Sequence, residues 1–440
     1  MDVLNYLTGN LDREGGAMFP LAAAGQRNSS GEGGSGKGFR MGRWGSRVSG
    51  RPEVFGELPV VGLAEEISTP GEGRVRALVT IAGNPFVSTP NSGALAAAAD
   101  ELDFMVSVDI YVNETTRHAD VILPAPEPLA KAHYDTALYQ LAVRSVANWS
   151  APVIEPPEGQ PAEWEVMLRL AAIAAGQGPE ADIEAWDELV IRTLIGREVG
   201  LAGSPIAGRS PDEILEALGE RRGPERLVDF MLRVGPFGDG FGADPDGVTL
   251  ERLEANPHGL DFGAMRARIP EVLRTASGKI ELAPEGIVAD VPRLEAELGA
   301  HINGDMVLIG RRQLRSNNSW MHNLPALMKG KDRCTVQVNP VDADRLGLAD
   351  GGHARVSSTS GELVAPVEVT DEIMPGVVSI PHGWGHDAPG VRLGVASEHA
   401  GVNSNVLAPG DVDEPSGNAV LNGIPVEVVA ADREPSAVGA

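Results

Sequence analysis

Short apolar runs alternate with polar turns along residues 78–124, and their spacing predicts a parallel α/β sheet. Leu78–Ala82 is an apolar run that ends in Gly83-Asn84-Pro85. Ala94–Leu102 is Ala-rich and reads as a helix, and Phe104–Val108 is a second apolar run ending at Asp109. A third, Asp120–Leu123, is closed by Pro124. A right-handed crossover would set the first two strands side by side. Gly83 and Asp109 would then share the strand-end edge where such sheets bind ligands. Further on, Trp164–Ala175 has apolar residues on nearly every side and predicts a buried helix. Ile183–Ile195, Pro211–Leu218, Leu227–Val234 and Leu250–Ala255 continue a helical region, with Ser210 placed as N-cap before Pro211. Ala276–Leu282 reads as a turn into a short strand. From His301 the pattern changes to short β-rich runs between Gly, Asp and Pro turns, the spacing of a closed β-barrel. Within it, residues 340–352 predict a short helix followed by a tight glycine turn.

Composition narrows the function classes. A chain of 440 residues has room for two or three domains. Its net charge of -26 argues against nucleic-acid binding. No apolar run reaches the roughly 18 residues of a membrane span, and the N-terminus lacks a basic start followed by an apolar core. The one cysteine, Cys334, cannot form an internal disulfide or hold an iron–sulfur cluster by itself, and it fits a reducing compartment. These features predict a cytoplasmic protein. Cys334 itself reads as a small buried hydrophobe.

Two motifs look like chemistry but lack the residues that chemistry needs. Residues 31–38 nearly match a phosphate-binding loop, but Gly38 stands where Ser or Thr is needed and no strand precedes it. The stretch reads as a surface loop, with Arg40, Arg43, Arg47 and Arg51 as its solvated basic decoration. His382-Gly-Trp-Gly-His386 lacks both a helix and an intervening Glu, so it is read as a loop at a strand end and not as a zinc pair. No hydrolase nucleophile motif occurs.

The run from Asp109 to Pro124, VDIYVNETTRHADVILP with its leading valine, together with GNP at 83–85, resembles the bis-molybdopterin-guanine-dinucleotide oxidoreductases, such as formate dehydrogenases and nitrate reductases. Leu7-Thr8-Gly9-Asn10 with Gly15-Gly16 resembles a segment from the middle of that family's full protein. His133-Tyr134-Asp135 and Arg144-Ser145-Val146 match a second pattern, and residues 339–361 resemble the family's cofactor-binding double-psi barrel. The resemblance implies an α/β plus β protein. Residues 1–155 would be part of an α/β cofactor-binding domain, 156–300 a helical middle region with its linker, and 301–440 the molybdopterin-dinucleotide-binding double-psi β-barrel.

It also implies a cofactor, molybdopterin guanine dinucleotide carrying molybdenum or tungsten. The reaction would be two-electron redox of a small, formate dehydrogenase-like substrate. The metal ligand and a [4Fe–4S] cluster would lie in a missing N-terminal portion, and the implied partners are that portion or an electron-transfer subunit. Two other readings remain at this stage: a non-catalytic molybdopterin-binding or maturation module, or a barrel serving as a protein-interaction domain. Binding a pterin dinucleotide needs backbone N–H groups near a pyrophosphate and side chains that meet ring edges. Candidates in the α/β part are Gly83, Asn84, Pro85, Asp109 and Thr115, while Glu114, Arg117 and Asp120 are equally read as holding the fold. In the barrel they are Arg312, Gln313, Ser316, Asn318, His322 and Asn323 in one polar loop, with His382, Asn403 and Asn405. No catalytic residue and no metal ligand is assigned.

Overall fold

The computed structural model describes residues 2–24, 41–298 and 306–432. The near-match to a phosphate loop and Arg40 lie outside these residues. The chain divides into two compact units, Met1–Gly38 with Ala125–Leu282 and Phe39–Pro124 with Ala283–Ala440. Each unit is built from two separated stretches of chain, whereas the sequence pattern suggests three consecutive segments.

The first unit is mainly helical. Its opening helix, Asp2–Leu7, stops before Gly9, whose φ of +70° suits a residue without a side chain. Helices Glu163–Ala174, Ile183–Val199, Pro211–Ala217, Gly223–Arg233 and Leu250–Glu254 follow. Arg144–Ala147 pairs antiparallel with Leu260–Ala264. Two apolar cores form, one around Leu232, Leu250 and Leu253 and another around Ile191, Ile195 and Ile214. Arg226 is buried against Asp187 at 2.6 Å, so the charge of each is met.

Three expectations fail in this unit. In the helix expected to be buried, only Ala172 is fully buried and Ile173 is 45% exposed. An apolar circumference is covered only where neighbours surround it, and here the helix packs mainly on Ile183–Val199 and Gly223–Arg233. Residues 276–282 form no strand, because Thr275 and Ser277 bind the local backbone at Lys279 and hold a turn. Ser210 makes no cap hydrogen bond. It stands at the N-cap position of helix Pro211–Ala217 without using its side chain, whereas in helix Ile183–Val199 the N-cap Asp182 accepts from the N–H groups of Glu184 and Ala185 at 3.0 and 3.1 Å. Asp182→Ala should therefore cost about 1 kcal/mol in urea unfolding. Ser210→Ala should stay within about 0.5 kcal/mol of the parent.

In the second unit, strands β1 (Ala77–Ile81), β2 (Phe104–Val108) and β3 (Val121–Leu123) form a parallel sheet in that order. Ala77 pairs with Phe104 and Ile81 with Val108, so the two expected strands are neighbours and end together. β3 begins one residue later than its apolar run because the Asp120 carboxylate accepts from the Met105 N–H at 2.8 Å. The helix between β1 and β2 runs Ser92–Ala99, preceded by a short turn of helix at Pro85–Ser88. One face of the sheet is covered: Thr80, Met105 and Ser107 are buried. On the other, Val79, Ile81 and Phe104 are 51%, 57% and 46% exposed, while Val106 and Val108 of the central strand are buried. Parallel sheets usually have both faces covered.

The arginines ahead of this sheet are not solvated decoration. Arg43 pairs with the buried Glu53, Arg47 with Glu66, and Arg51 donates to the Gly410 carbonyl. A short strand pair, Met41–Gly45 with Pro52–Val54, gives them fixed positions in which carboxylates can meet them.

The remaining strands are β4 (Met306–Arg311), β5 (Val336–Val338), β6 (His353–Ser357), β7 (Glu362–Val369), β8 (Val377–Pro381) and β9 (Ile424–Ala431). They close into one barrel in the order β6-β7-β5-β8-β4-β9. β4 runs parallel to β8 and β5 parallel to β7, while the other contacts are antiparallel. This is the double-psi arrangement. Alternate residues of every strand fill the core, among them Val336, Val338, Ala354, Val356, Val378 and Ile380. Helix Pro340–Leu346 opens on Asn339, whose side chain caps it, and ends on Gly347 at φ +67°.

Candidate functional site: the mouth of the barrel

Strands β4 and β8 end side by side at Arg311 and Pro381, so the polar loop after one and the His-Gly-Trp-Gly-His loop after the other meet. Between them opens a cavity of ≈ 240 Å³. Arg311, Arg312, His382, Ser404, Asn405 and Asn422 line it. Arg312 Nη1 lies 2.8 Å from His382 Nε2. A guanidinium only donates, so this nitrogen accepts. Asn318 Oδ1 is placed 2.9 Å from the same nitrogen. With Nε2 accepting, the Asn318 amide meets it through its NH2 in the flipped orientation. Burial, followed by the Arg312 charge, holds the His382 pKa below its ordinary value, so the ring is a neutral acceptor near pH 7.

Arg311 is the most constrained group here. Its two terminal nitrogens donate to the Ser379 carbonyl and the Thr335 hydroxyl, the latter at 2.7 Å. Its Nε is buried with no acceptor. Burial lowers the Arg311 pKa, partly offset by the Glu368 charge. Arg312, exposed at the rim, is the cationic donor that an anionic, ring-bearing ligand could meet here.

The predicted residues fall into two groups. Arg312, Asn318, His382 and Asn405 are brought together at the mouth. Gln313 is half-buried beside them, and its carbonyl accepts from the buried Ser316 hydroxyl at 3.1 Å. The other group is spent on internal hydrogen bonds. Asn84 donates to Glu114 at 2.7 Å and accepts from Thr115 at 2.7 Å. Asp109 accepts from the N–H groups of Ile110 and Tyr111 and from the Asn113 amide, an Asx turn. Gly83 ends β1 with no crowding atom, and Pro85 opens the short helix that follows. Asn323 accepts from Val395 and Ala396 at the start of helix Gly394–Glu398. Asn403 donates to Ser92, and Asn405, although it lines the mouth, also donates its amide to the Val87 carbonyl, so both tie the barrel loop to the helices beside the sheet.

His322 is fully buried, packed on Trp384 with ring centroids 4.1 Å apart, and 2.8 Å from His386 Nε2. His386 Nδ1 in turn lies 2.9 Å from Glu114 Oε1. Burial, then the neighbouring His386, pushes the His322 pKa down to about 3. Burial alone would raise the Glu114 carboxyl, but hydrogen bonds from His386 and Asn84 outweigh it and hold it low. Arg311 and Ser404 lie inside the two polar runs, 311–323 and 401–407, that the sequence marks for cofactor contact, although neither was chosen as a site residue; Asn422 lies outside both and carries no local signal.

A closed double-psi barrel with a cationic mouth, packed with a parallel α/β sheet, defines a dinucleotide-holding class of protein. Comparison with known proteins gives it a family. The Molybdopterin oxidoreductase family model matches residues 1–172, and the Molydopterin dinucleotide binding domain model matches residues 306–425. A tetrathionate reductase chain from Salmonella typhimurium is 25% identical over 417 residues, covering 80% of this chain and 39% of the relative. The alpha chain of the F420-dependent formate dehydrogenase 2 of Methanococcus maripaludis is 25% identical over 390 residues, covering 85% and 49%. Acetylene hydratase from Pelobacter acetylenicus has a similar fold, with a TM-score of 0.58, 18% identity, and coverage of 86% of this chain and 47% of that one. The chain thus spans less than half the length of these proteins. It belongs to the molybdopterin oxidoreductases, and its barrel is the family's dinucleotide-binding domain.

Proposed function

We propose that this chain is the cofactor-holding portion of a formate dehydrogenase-like molybdopterin oxidoreductase, acting with a second portion that completes the enzyme. The barrel-mouth cavity carries this reading. Arg312 would meet the phosphates, while His382, Asn318, Ser404, Asn405 and Asn422 would meet the polar ring edges. Of the other sequence candidates, Asn84, Thr115, Asp109, Asn323 and Asn403 would shape this wall from behind. When bound, the cofactor's molybdenum or tungsten supplies two-electron redox chemistry on a small substrate.

A cavity of ≈ 240 Å³ takes only part of a pterin dinucleotide, so further protein would enclose the rest. The exposed apolar residues Val79, Ile81 and Phe104 on that face would offer a surface to such a portion. Cys334 is buried, its pKa pushed up to about 11, and its sulfur accepts from the Val402 N–H, which suits a structural thiol. We therefore assign the metal's protein ligand and the [4Fe–4S] cluster to the second portion, or the cluster to an electron-transfer subunit, in a reducing compartment such as the cytoplasm. Among the described residues no helix is long and apolar enough to cross a membrane.

The test has two arms. Purified chain is titrated with GDP, a fragment of the proposed cofactor, and should bind it, with Arg312→Ala about tenfold weaker. The chain is also purified anaerobically and assayed for molybdenum, tungsten, iron and formate-dependent dye reduction, where little metal and no turnover are expected. Stoichiometric metal with turnover from this chain alone would overturn the two-portion reading. Absence of GDP binding would overturn the assignment of the mouth.

A further inference from the structure

Two amide side chains on the wall of the barrel mouth can each present only one polarity to whatever fills it. Asn405 is 6% exposed and lines the cavity. Its amide donates to the Val87 carbonyl. A carbonyl only accepts, so Nδ2 must face Val87 and Oδ1 is turned away from it. That oxygen has no partner among the described residues, so Asn405 offers the cavity an acceptor.

Asn422 is fixed the other way round. Its Oδ1 accepts from the Gly310 N–H at 2.8 Å. An N–H only donates, so the oxygen must stay there and Nδ2 is the end left open, a donor. Ser404 is 7% exposed on the same wall, with a hydroxyl that turns to either role. Leu308, Ile380 and Ile424 complete the lining and are buried. Beside such an apolar surface an unmet amide end is costly, so a ring that enters has to match both polarities.

A phosphate cannot match them, because it offers acceptors alone. A ring edge can, with a donor and an acceptor on neighbouring atoms. In guanine the ring N–H at position 1 stands beside the carbonyl at position 6, and a pterin carries the same lactam pair. Adenine reverses the order, with an acceptor at position 1 and an amino donor at position 6. In one pose the wall matches one order, and the other sets lone pair against lone pair and N–H against N–H.

We propose that Asn405 and Asn422 are specificity-determining residues: Asn405 Oδ1 accepts the ring N–H of a lactam edge and Asn422 Nδ2 donates to its carbonyl, which selects guanine-type rings against adenine. The choice of the lactam order rests on the mouth being the cofactor site, whereas the fixed polarity of the wall does not.

The full chain is titrated calorimetrically with GDP, with IDP, which keeps the lactam, with O6-methylguanosine diphosphate, which loses the ring N–H, and with ADP. GDP and IDP should bind alike, and the other two about tenfold more weakly. Asn422→Asp keeps an oxygen for the Gly310 N–H and turns the open donor into an acceptor. Its added charge weakens every diphosphate, so the readout is the ratio of GDP to ADP affinity, which should fall about tenfold. Arg312→Ala acts on the phosphates and should leave that ratio unchanged. 6-Hydroxymethylpterin diphosphate tells the two lactam rings apart: tighter binding than GDP places the pterin end of the cofactor here, and weaker binding the guanine end.

If Asn422→Asp does not fold, the nucleotide series on the parent decides alone. Equal affinity of the parent for GDP and ADP overturns the proposal while leaving the mouth as a binding site. So does a folded Asn422→Asp that keeps the parent's ratio. If the parent does not bind GDP, the mouth assignment fails and this proposal falls with it.

Discussion

Gly383→Ala is expected to destabilise the chain by about 2–5 kcal/mol and to abolish GDP binding at the barrel mouth. Two costs add at this position. The backbone sits at φ +94°, where a side chain costs roughly 1–2 kcal/mol. The new methyl would also lie 2.4 Å from the Asn318 carbonyl oxygen and 2.6 Å from its carbon. These are backbone atoms, which cannot swing aside as a flexible side-chain tip does, and overpacking of this kind costs about 1–3 kcal/mol. Gly390 provides the control, because it has φ +89° and no atom within 4 Å of a built Cβ. Gly390→Ala should show only the conformational part, about 1–2 kcal/mol, with GDP binding retained. Urea unfolding of the two variants beside the parent separates the contributions. Equal losses at both sites would mean that the two loops at the mouth are not closely pressed together.

The parts of the fold that were legible in the sequence are those set by local periodicity. β1 and β2 were readable because each is a short apolar run stopped by a turn residue, and their order follows from crossover handedness. The barrel was readable for the same reason, with Asn339 and Gly347 marking both ends of its short helix. What escaped is set by partners distant in sequence. Asn84 and Asp109 follow strands where ligands often bind, yet part of their hydrogen-bonding capacity goes to Glu114, Thr115 and the turn at 110–113. A polar residue at a strand end looks the same in sequence whether it meets a ligand or its own loop. The Glu114–His386 contact joins residues 272 apart, and no spacing rule reaches that far. Arg43 and Arg47 failed in the same way, because a basic loop shows its charge while hiding the Glu53 and Glu66 that neutralise it. The helix at 163–174 failed differently: its composition reports what it can bury, and the neighbours present decide what it does bury.

Acid is expected to unfold the chain earlier than its carboxylates alone would predict, and His322 supplies the reason. In the fold its pKa is pushed down to about 3, whereas an unfolded histidine titrates near 6.5. Below about pH 6.5 the unfolded chain therefore takes up a proton that the folded chain refuses. The stability from this residue is fully present above that pH and is lost steadily as pH falls toward 3. One proton is worth about 1.4 kcal/mol per pH unit, so roughly 3 kcal/mol should be gone by pH 4. Glu114 acts in a lower window. Its folded pKa lies below the ordinary carboxylate value, so its contribution is intact above about pH 4.3 and is lost as pH falls through the folded value. Between pH 6.5 and 4.5 the slope should thus belong to histidine. His322→Asn keeps a polar group beside His386 and removes the titration. It should lower stability at pH 7 yet flatten the pH dependence of the urea midpoint between 7 and 4.5 relative to the parent. A variant whose midpoint falls with pH as steeply as the parent's would show that His322 takes up its proton in the folded chain, and the neutral His322 ring would be wrong.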